Sequence, residues 1–292
     1  QTASNNTAMG HNALYLNTTG TQNTAFGSLA LDNVTTASNN TAVGYAALST
    51  TGNGGGSGGN TAVGAQAGVD ITTGIFNVIM GSHTGFDLTT GSRNTFIGTS
   101  AGANITTGEQ NVAIGDNCLV TGTGMSNNVG VGHDVLEQNT ADHNTAIGYQ
   151  AMKSNTSGFT NVAAGINALY ANTTGDNNSA FGPDAGQSVT TGNNNTFLGH
   201  DAGRSNSPGG NVTTGSNRIV LGNDNTTELF CSDTSISDSD SRDKTDITDF
   251  SIGLDWIKAL RPVTYKWDKR TWYGTDAEPY GTPDGSKKKS KI

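Results

Sequence analysis

Asn94-Thr95-Phe96-Ile97-Gly98-Thr99-Ser100-Ala101-Gly102 is answered seventeen residues later by Asn111-Val112-Ala113-Ile114-Gly115-Asp116-Asn117-Cys118-Leu119. Seventeen further on comes Asn128-Val129-Gly130-Val131-Gly132-His133-Asp134-Val135-Leu136. Aligned on Asn-x-small-apolar-Gly, the chain places Gly at 10, 27, 44, 64, 81, 98, 115, 132, 148, 165, 182, 199 and, more divergently, 222. The spacing is 17 except for 20 before Gly64, 16 before Gly148 and 23 before Gly222. Thirteen units in register at one period specify a stack of coils. The fold class is therefore all-β, a β-solenoid or β-roll of about 13 coils with a 17-residue period.

Each column has a physical reading. Four residues before the motif glycine stands Asn6, Asn23, Asn40, Asn60, Asn77, Asn94, Asn111, Asn128, Asn144, Asn161, Asn178 or Asn195. Stacked coil on coil, these amides can hydrogen-bond along the axis as a structural ladder. The three residues between Asn and Gly form a short strand. Thr, Ser or Val at its start and an apolar residue at its end share one face, and a mostly apolar middle residue takes the other. A strand apolar on both faces is buried on both. One face fills the coil, and the other calls for a second copy of the chain, so the coils are expected to pack or intertwine as a homotrimer. The Thr column is read as facing inward, which sets aside ice binding. Thr-Thr-Gly, as at Thr18-Thr19-Gly20 and Thr190-Thr191-Gly192, marks a corner whose glycine is expected at positive φ. Longer loops enter at Thr51 to Gly59 and Arg204 to Val212.

Composition bounds the function. Of 292 residues 41 are Gly and only 13 % are charged, against about 25 % in ordinary domains, which argues against a standard enzyme. The net charge of −9 and the absence of a basic cluster before residue 222 offer nothing to a phosphate backbone, so no nucleic acid is expected. No apolar stretch approaches the ~20 residues of a membrane span, so no membrane insertion is expected. Beginning at Gln1 inside a repeat, the chain reads as part of a longer polypeptide. Cys118 and Cys231, 113 residues apart, make neither a disulfide framework nor a metal motif; Cys118 falls in a small buried column. No cofactor or metal is expected. His11, His133 and His200 share a column but read as separate exposed histidines. The few acidic residues of 1–222 show no adjacent-coil carboxylate pair of the kind glycan hydrolysis requires.

A second kind of sequence follows. Residues 1–222 carry 15 charged side chains and residues 223–292 carry 24, together with Trp256, Trp267 and Trp272. The expected organisation is a shaft over 1–222, a linker over 223–238 and a small α+β segment over 239–292. In that segment the apolar spacing of Phe250, Ile252, Leu254, Ile257 and Leu260 suits a helix, and Val263 to Trp267 alternates as a strand. The basic run Lys287 to Lys291 reads as a solvated loop.

The repeats resemble the Asn-x-Ala-Val/Ile-Gly repeats of trimeric autotransporter adhesin heads and, more closely, the arrays of phage tail-fibre proteins; both resemblances imply a homotrimer. Ser239-Asp240-Ser241-Arg242-Asp243-Lys244, with Gly253-Leu254-Asp255-Trp256-Ile257-Lys258-Ala259-Leu260-Arg261-Pro262 behind it, is similar to the intramolecular chaperone autoprocessing domain of tailspikes and endosialidases. That resemblance implies a trimerising segment that cuts itself off, with Ser239 as nucleophile, Lys244 as general base, Asp238–Ser239 as the scissile bond, and Asp240 and Arg242 in supporting roles. The family pattern runs on beyond the part matched here, so residues 239–292 read as its N-terminal portion. Any enzymatic activity would be at most that of a serine endopeptidase acting on itself. The expected function is the shaft of a phage or viral tail fibre that attaches to a host-surface receptor, including a glycan, placing the protein on the virion or another extracellular surface. The alternatives are a trimeric cell-surface adhesin head and, further off, a polysaccharide-degrading tailspike.

Overall fold

The computed structural model describes residues 3–49 and 58–228, together with the backbone of 266–267 and 289–290. Two compact units divide the chain, Gln1–Leu229 and Phe230–Ile292. In the first, thirteen three-residue strands stack in sequence order into one parallel sheet. They are β1 (Thr7–Met9), β2 (Thr24–Phe26), β3 (Thr41–Val43), β4 (Thr61–Val63), β5 (Val78–Met80), β6 (Thr95–Ile97), β7 (Val112–Ile114), β8 (Val129–Val131), β9 (Thr145–Ile147), β10 (Val162–Ala164), β11 (Ser179–Phe181), β12 (Thr196–Leu198) and β13 (Ile219–Leu221). Register matches the repeat: Thr24 faces Thr41, Ala25 faces Ala42 and Phe26 faces Val43. At ~4.8 Å per strand the stack is about 60 Å long. Coil-to-coil hydrogen bonds run well beyond the strands, as in Leu29 N–H to His11 C=O at 2.9 Å and Thr18 N–H to Thr35 C=O at 2.9 Å.

From β2 onward the middle residue of each strand points inward. Ala25, Ala42, Ala62, Ile79, Phe96, Ala113, Ala146, Ala163, Ala180 and Phe197 are fully buried. The flanking columns point outward, so the Thr column does not face inward as its sequence suggested; Thr24 and Phe26 are both exposed beside buried Ala25. The interior is filled by these middle side chains together with buried ones such as Leu31, Leu119 and Leu169, which leaves no room inside for the flanking columns.

The asparagine ladder is continuous. Each Asn Oδ1 accepts the backbone N–H of the next Asn at 2.8 to 3.1 Å, from Asn6–Asn23 through Asn178–Asn195, and Asn195 receives Arg218. In most coils the Nδ2 donates to the carbonyl at the next coil's corner, as from Asn111 to Met125 at 2.8 Å. Amide-to-amide contacts, such as Asn40 to Asn23 at 3.2 Å, are secondary. A second ladder, Asn139–Asn155–Asn172, lies buried seven residues after the motif glycines. It ends because the same column in the next coil is Val189.

Among the described residues the corner glycines of Thr-Thr-Gly are not at positive φ, contrary to expectation. At Gly74 a Cβ would collide with the Gly91 carbonyl of the next coil, so close backbone approach excludes a side chain there. Positive φ falls instead on the motif glycines, such as Gly98 at 127° and Gly115 at 134°, and on 31 non-glycine residues among the described residues, including Gln22, Asn39 and His143 before the Asn ladder. Left-handed conformations cost roughly 1 kcal/mol or more each for such residues, and the dense coil-to-coil hydrogen bonding offsets that cost.

One left-handed column explains an alternation visible in the sequence. It holds Leu31, Leu48, Leu119, Leu136, Met152 and Leu169 in some coils and Gly68, Gly85, Gly102, Gly186 and Gly203 in others. The glycines adjoin the large middle residues. A Cβ on Gly102 would lie 2.7 Å from the Phe96 ring, one on Gly186 2.7 Å from Phe197, and one on Gly68 2.9 Å from Ile79. Core volume is thus kept constant by trading a large side chain between two columns.

Beyond residue 228 the description is confined to two strands, β14 (Lys266–Trp267) and β15 (Lys289–Ser290), paired antiparallel. The first falls within the expected Val263 to Trp267 strand. The second corrects the reading of the basic run as a loop at Lys289 and Ser290, whose backbone finds a ladder partner; the rest of the run lies outside the described residues. The expected helix over 248–258 lies outside the described residues.

Candidate functional site

The outward columns of β1 to β13 form one continuous face. Several of its apolar members stay open to solvent in the single chain, Phe26 at 52 %, Ile147 at 47 %, Phe181 at 43 % and Leu198 at 52 %, and others such as Val43 and Ile97 are half-buried. Tyr45 and Tyr149, one residue past the motif glycine, extend it. The strands cannot bury this face against their own coil, because the middle residues already fill the interior. An apolar strip repeated on every coil, with few charges, has the chemistry of an interface.

Two charged groups edge this face. Lys153 Nζ lies 2.7 Å from Asp134 Oδ2 and 3.0 Å from Glu137 Oε2. His133 sits 3.2 Å from Asp134 and 3.6 Å from Asp116 and stacks on Tyr149. Burial alone would raise the Asp134 carboxyl, but hydrogen bonds from Lys153, Gln150 and Asn117 hold it below its ordinary value. The hydrogen bonds it donates to Asp134 and Glu137 push the Lys153 ammonium well above its own ordinary value, so it carries its proton and offers no base.

In the second group, potential ligand atoms of Asp184, His200 and Asp201 lie within 4.8 Å of one another. Here two carboxylates from adjacent coils do come together, correcting the expectation that none would; the repeat puts the same column one coil apart. Arg204 already supplies the positive charge, 2.7 Å from Asp201 and 3.5 Å from Asp184, and Asn206 donates to Asp201 at 3.1 Å. The Asn206 hydrogen bond and then Arg204 hold Asp201 below the usual carboxylate range, leaving no proton for acid catalysis. His133 and His200 are exposed as expected but paired with carboxylates rather than isolated. Cys118 is fully buried, and burial pushes its thiol up to about 12.

Sequence reading located all twelve rungs of the main ladder, and the structure brings them together. It missed the second ladder, whose Asn155 and Asn172 look like glycosylation acceptors but are fully buried. Their constant distance of three residues before a corner glycine was the available signal. Asp238, Ser239, Asp240, Arg242 and Lys244 lie outside the described residues.

Residues 239–284 match the family model described as chaperone of endosialidase. No curated protein and no solved structure matches the chain. A parallel β-solenoid followed by such a segment fits a tail fibre of the tailspike or endosialidase type with an intramolecular chaperone. Among the described residues no helix is long and apolar enough to cross a membrane.

Proposed function

We propose that residues 1–222 form the shaft of a phage or viral tail fibre that associates as a homotrimer through the outer strand face and attaches to a host surface. The family match beginning at Ser239, directly behind the solenoid, carries this reading. The chaperone segment would assemble three chains and then release itself. Ser239 Oγ gives its proton to a neutral Lys244 amine and attacks the Asp238 carbonyl carbon. The Asp238–Ser239 amide breaks as its nitrogen takes the proton back from Lys244, and water then hydrolyses the resulting ester. Lys244 serves only if burial or neighbouring cations lower its pKa, and a pocket completed by assembly would tie cleavage to trimer formation. Asp240 and Arg242 are assigned to orienting that pocket.

The outer face supports the fibre reading over a monomeric enzyme, because a regular apolar strip suits a copy of itself better than a small substrate. The test is the mass of the full-length product beside Ser239→Ala. The wild type should lose residues 239 onward while the variant stays whole. Trimers that form without any cut at Asp238–Ser239 would refute autoprocessing, and a monomeric sedimentation profile would refute the shaft assembly.

A further inference from the structure

The coil between Gly132 and Gly148 is one residue short, and the shortfall lies at the corner. Asn139 and Asn144 are five residues apart, where the next coil separates Asn155 from Asn161 by six. Thr140, Ala141, Asp142 and His143 therefore draw back, leaving an open notch of about 400 Å³ beside Ser157 and Phe159 of the following coil. That volume lies in the lower part of the range of about 300–1,000 Å³ usual for small-molecule sites.

The walls are fixed by backbone bonds. Thr140 N–H and Oγ1 both donate to Thr156 C=O, at 2.8 and 2.9 Å. Asp142 Oδ1 accepts Ser126 N–H at 2.7 Å, and Phe159 N–H donates to Asp176 Oδ1 at 3.0 Å. This column ordinarily caps the coil before it, since Ser126, Asp142 and Asp176 each accept an N–H from the preceding coil. Phe159 has no acceptor to offer, so the chain of caps breaks there and Asp142 N–H has no partner among the described residues. The notch thus joins an unused N–H donor, the second carboxylate oxygen of Asp142, the hydroxyl of Ser157, the imidazole of His143 and the 47 % exposed ring of Phe159.

We propose that this notch binds one neutral hexopyranose unit of a surface glycan. An aromatic face receives the apolar C–H face of a pyranose. A carboxylate oxygen beside an N–H donor matches a pair of neighbouring hydroxyls, one donating and one accepting. Asp142 and the net charge of −9 disfavour acidic sugars. The inference rests on the attachment reading and gives it a ligand class and a place.

The test titrates the full-length protein separately with methyl α-D-mannopyranoside, methyl α-D-glucopyranoside and methyl β-D-galactopyranoside by saturation-transfer NMR. Phe159→Ala, Phe76→Ala and a glycine inserted after Ala141 to restore the regular corner are run in parallel. At least one glycoside should bind saturably. Phe159→Ala should weaken it about tenfold or more, the insertion should abolish it, and Phe76→Ala, on a distant exposed ring, should leave it unchanged. No binding of any of the three, or binding indifferent to both Phe159→Ala and the insertion, overturns the proposal. Adsorption of the wild-type trimer to host cells in spite of such a result would leave attachment standing and remove only the notch.

Discussion

Replacing Phe96 by Ala and Gly102 by Leu, separately and together, tests whether the alternating column conserves core volume. Phe96 is fully buried, and its loss should cost about 3–5 kcal/mol through lost transfer energy and the cavity left behind. Leucine at 102 alone cannot fit, because even a Cβ there lies 2.7 Å from the Phe96 ring; overpacking should cost about 1–3 kcal/mol or more. The backbone is no obstacle, since Leu119 and Leu136 hold φ near 53° and 51° in the same column, close to the 61° of Gly102. With Phe96 removed, the new leucine enters the vacated space and recreates the Ala113–Leu119 pairing of the next coil. The double variant should cost about 2 kcal/mol or less, against roughly 4–8 if the single costs simply added. Urea denaturation of the full chain, followed by circular dichroism and by amide exchange around residue 96, reads the cycle. A double variant as unstable as the sum of the singles would refute the reasoning.

Asn111→Ala should strip partners from two buried groups, Met125 C=O and Asn128 N–H, costing about 2–6 kcal/mol; a loss below 1 kcal/mol in the same urea assay would show the ladder to be ornamental. Ile147→Lys should leave the coil folded, since that side chain is 47 % exposed, yet convert trimer to monomer in sedimentation; a surviving trimer would place the interface elsewhere. In a Cys231→Ser background, Cys118 should resist alkylation at pH 8 until denaturant is added, because its thiol lies near 12; native labelling would contradict its burial. The folded Asp134 carboxyl is held below 3.8, so its pairing contributes fully above that value and is lost as pH falls through the lower folded value. Lys153→Met should accordingly lose stability near neutral pH, with the deficit shrinking below pH 3.8; a deficit independent of pH would mean that packing, not charge, holds the group.

Strand positions were legible because Asn and Gly bracket every one of them at a fixed distance, as at Asn94 and Gly98. Which strand face points inward was not, since Ala42 and Val43 are both apolar and hydrophobicity alone does not rank them. The filling of the interior decided, and that is a property of the closed ring. The corner glycines misled for a related reason: Gly74 is explained by the Gly91 carbonyl one coil away, not by its local turn. Cys118 was readable from its column of alanines. The Asp184–Asp201 pair was in principle readable too, since the two occupy one column in adjacent coils, but the charge that quenches it comes from Arg204 at the start of an expanded loop.

The near-identity of the coils has a consequence for assembly. Two such rods meeting along the strand face can slide by one coil, ~4.8 Å, and find almost the same contacts again. Slipped arrangements lie close in energy to the aligned one wherever the repeat is uniform, so an array of this kind is poorly able to find its own alignment. The departures from uniformity break that degeneracy: the outward rings of Phe26 and Phe181, the short coil before Gly148 and the expanded loop before Gly222 each stand at a fixed height. In the proposed trimer, an assembly segment fused to such a rod would act as a ruler, fixing a common zero for the chains before the strip faces close.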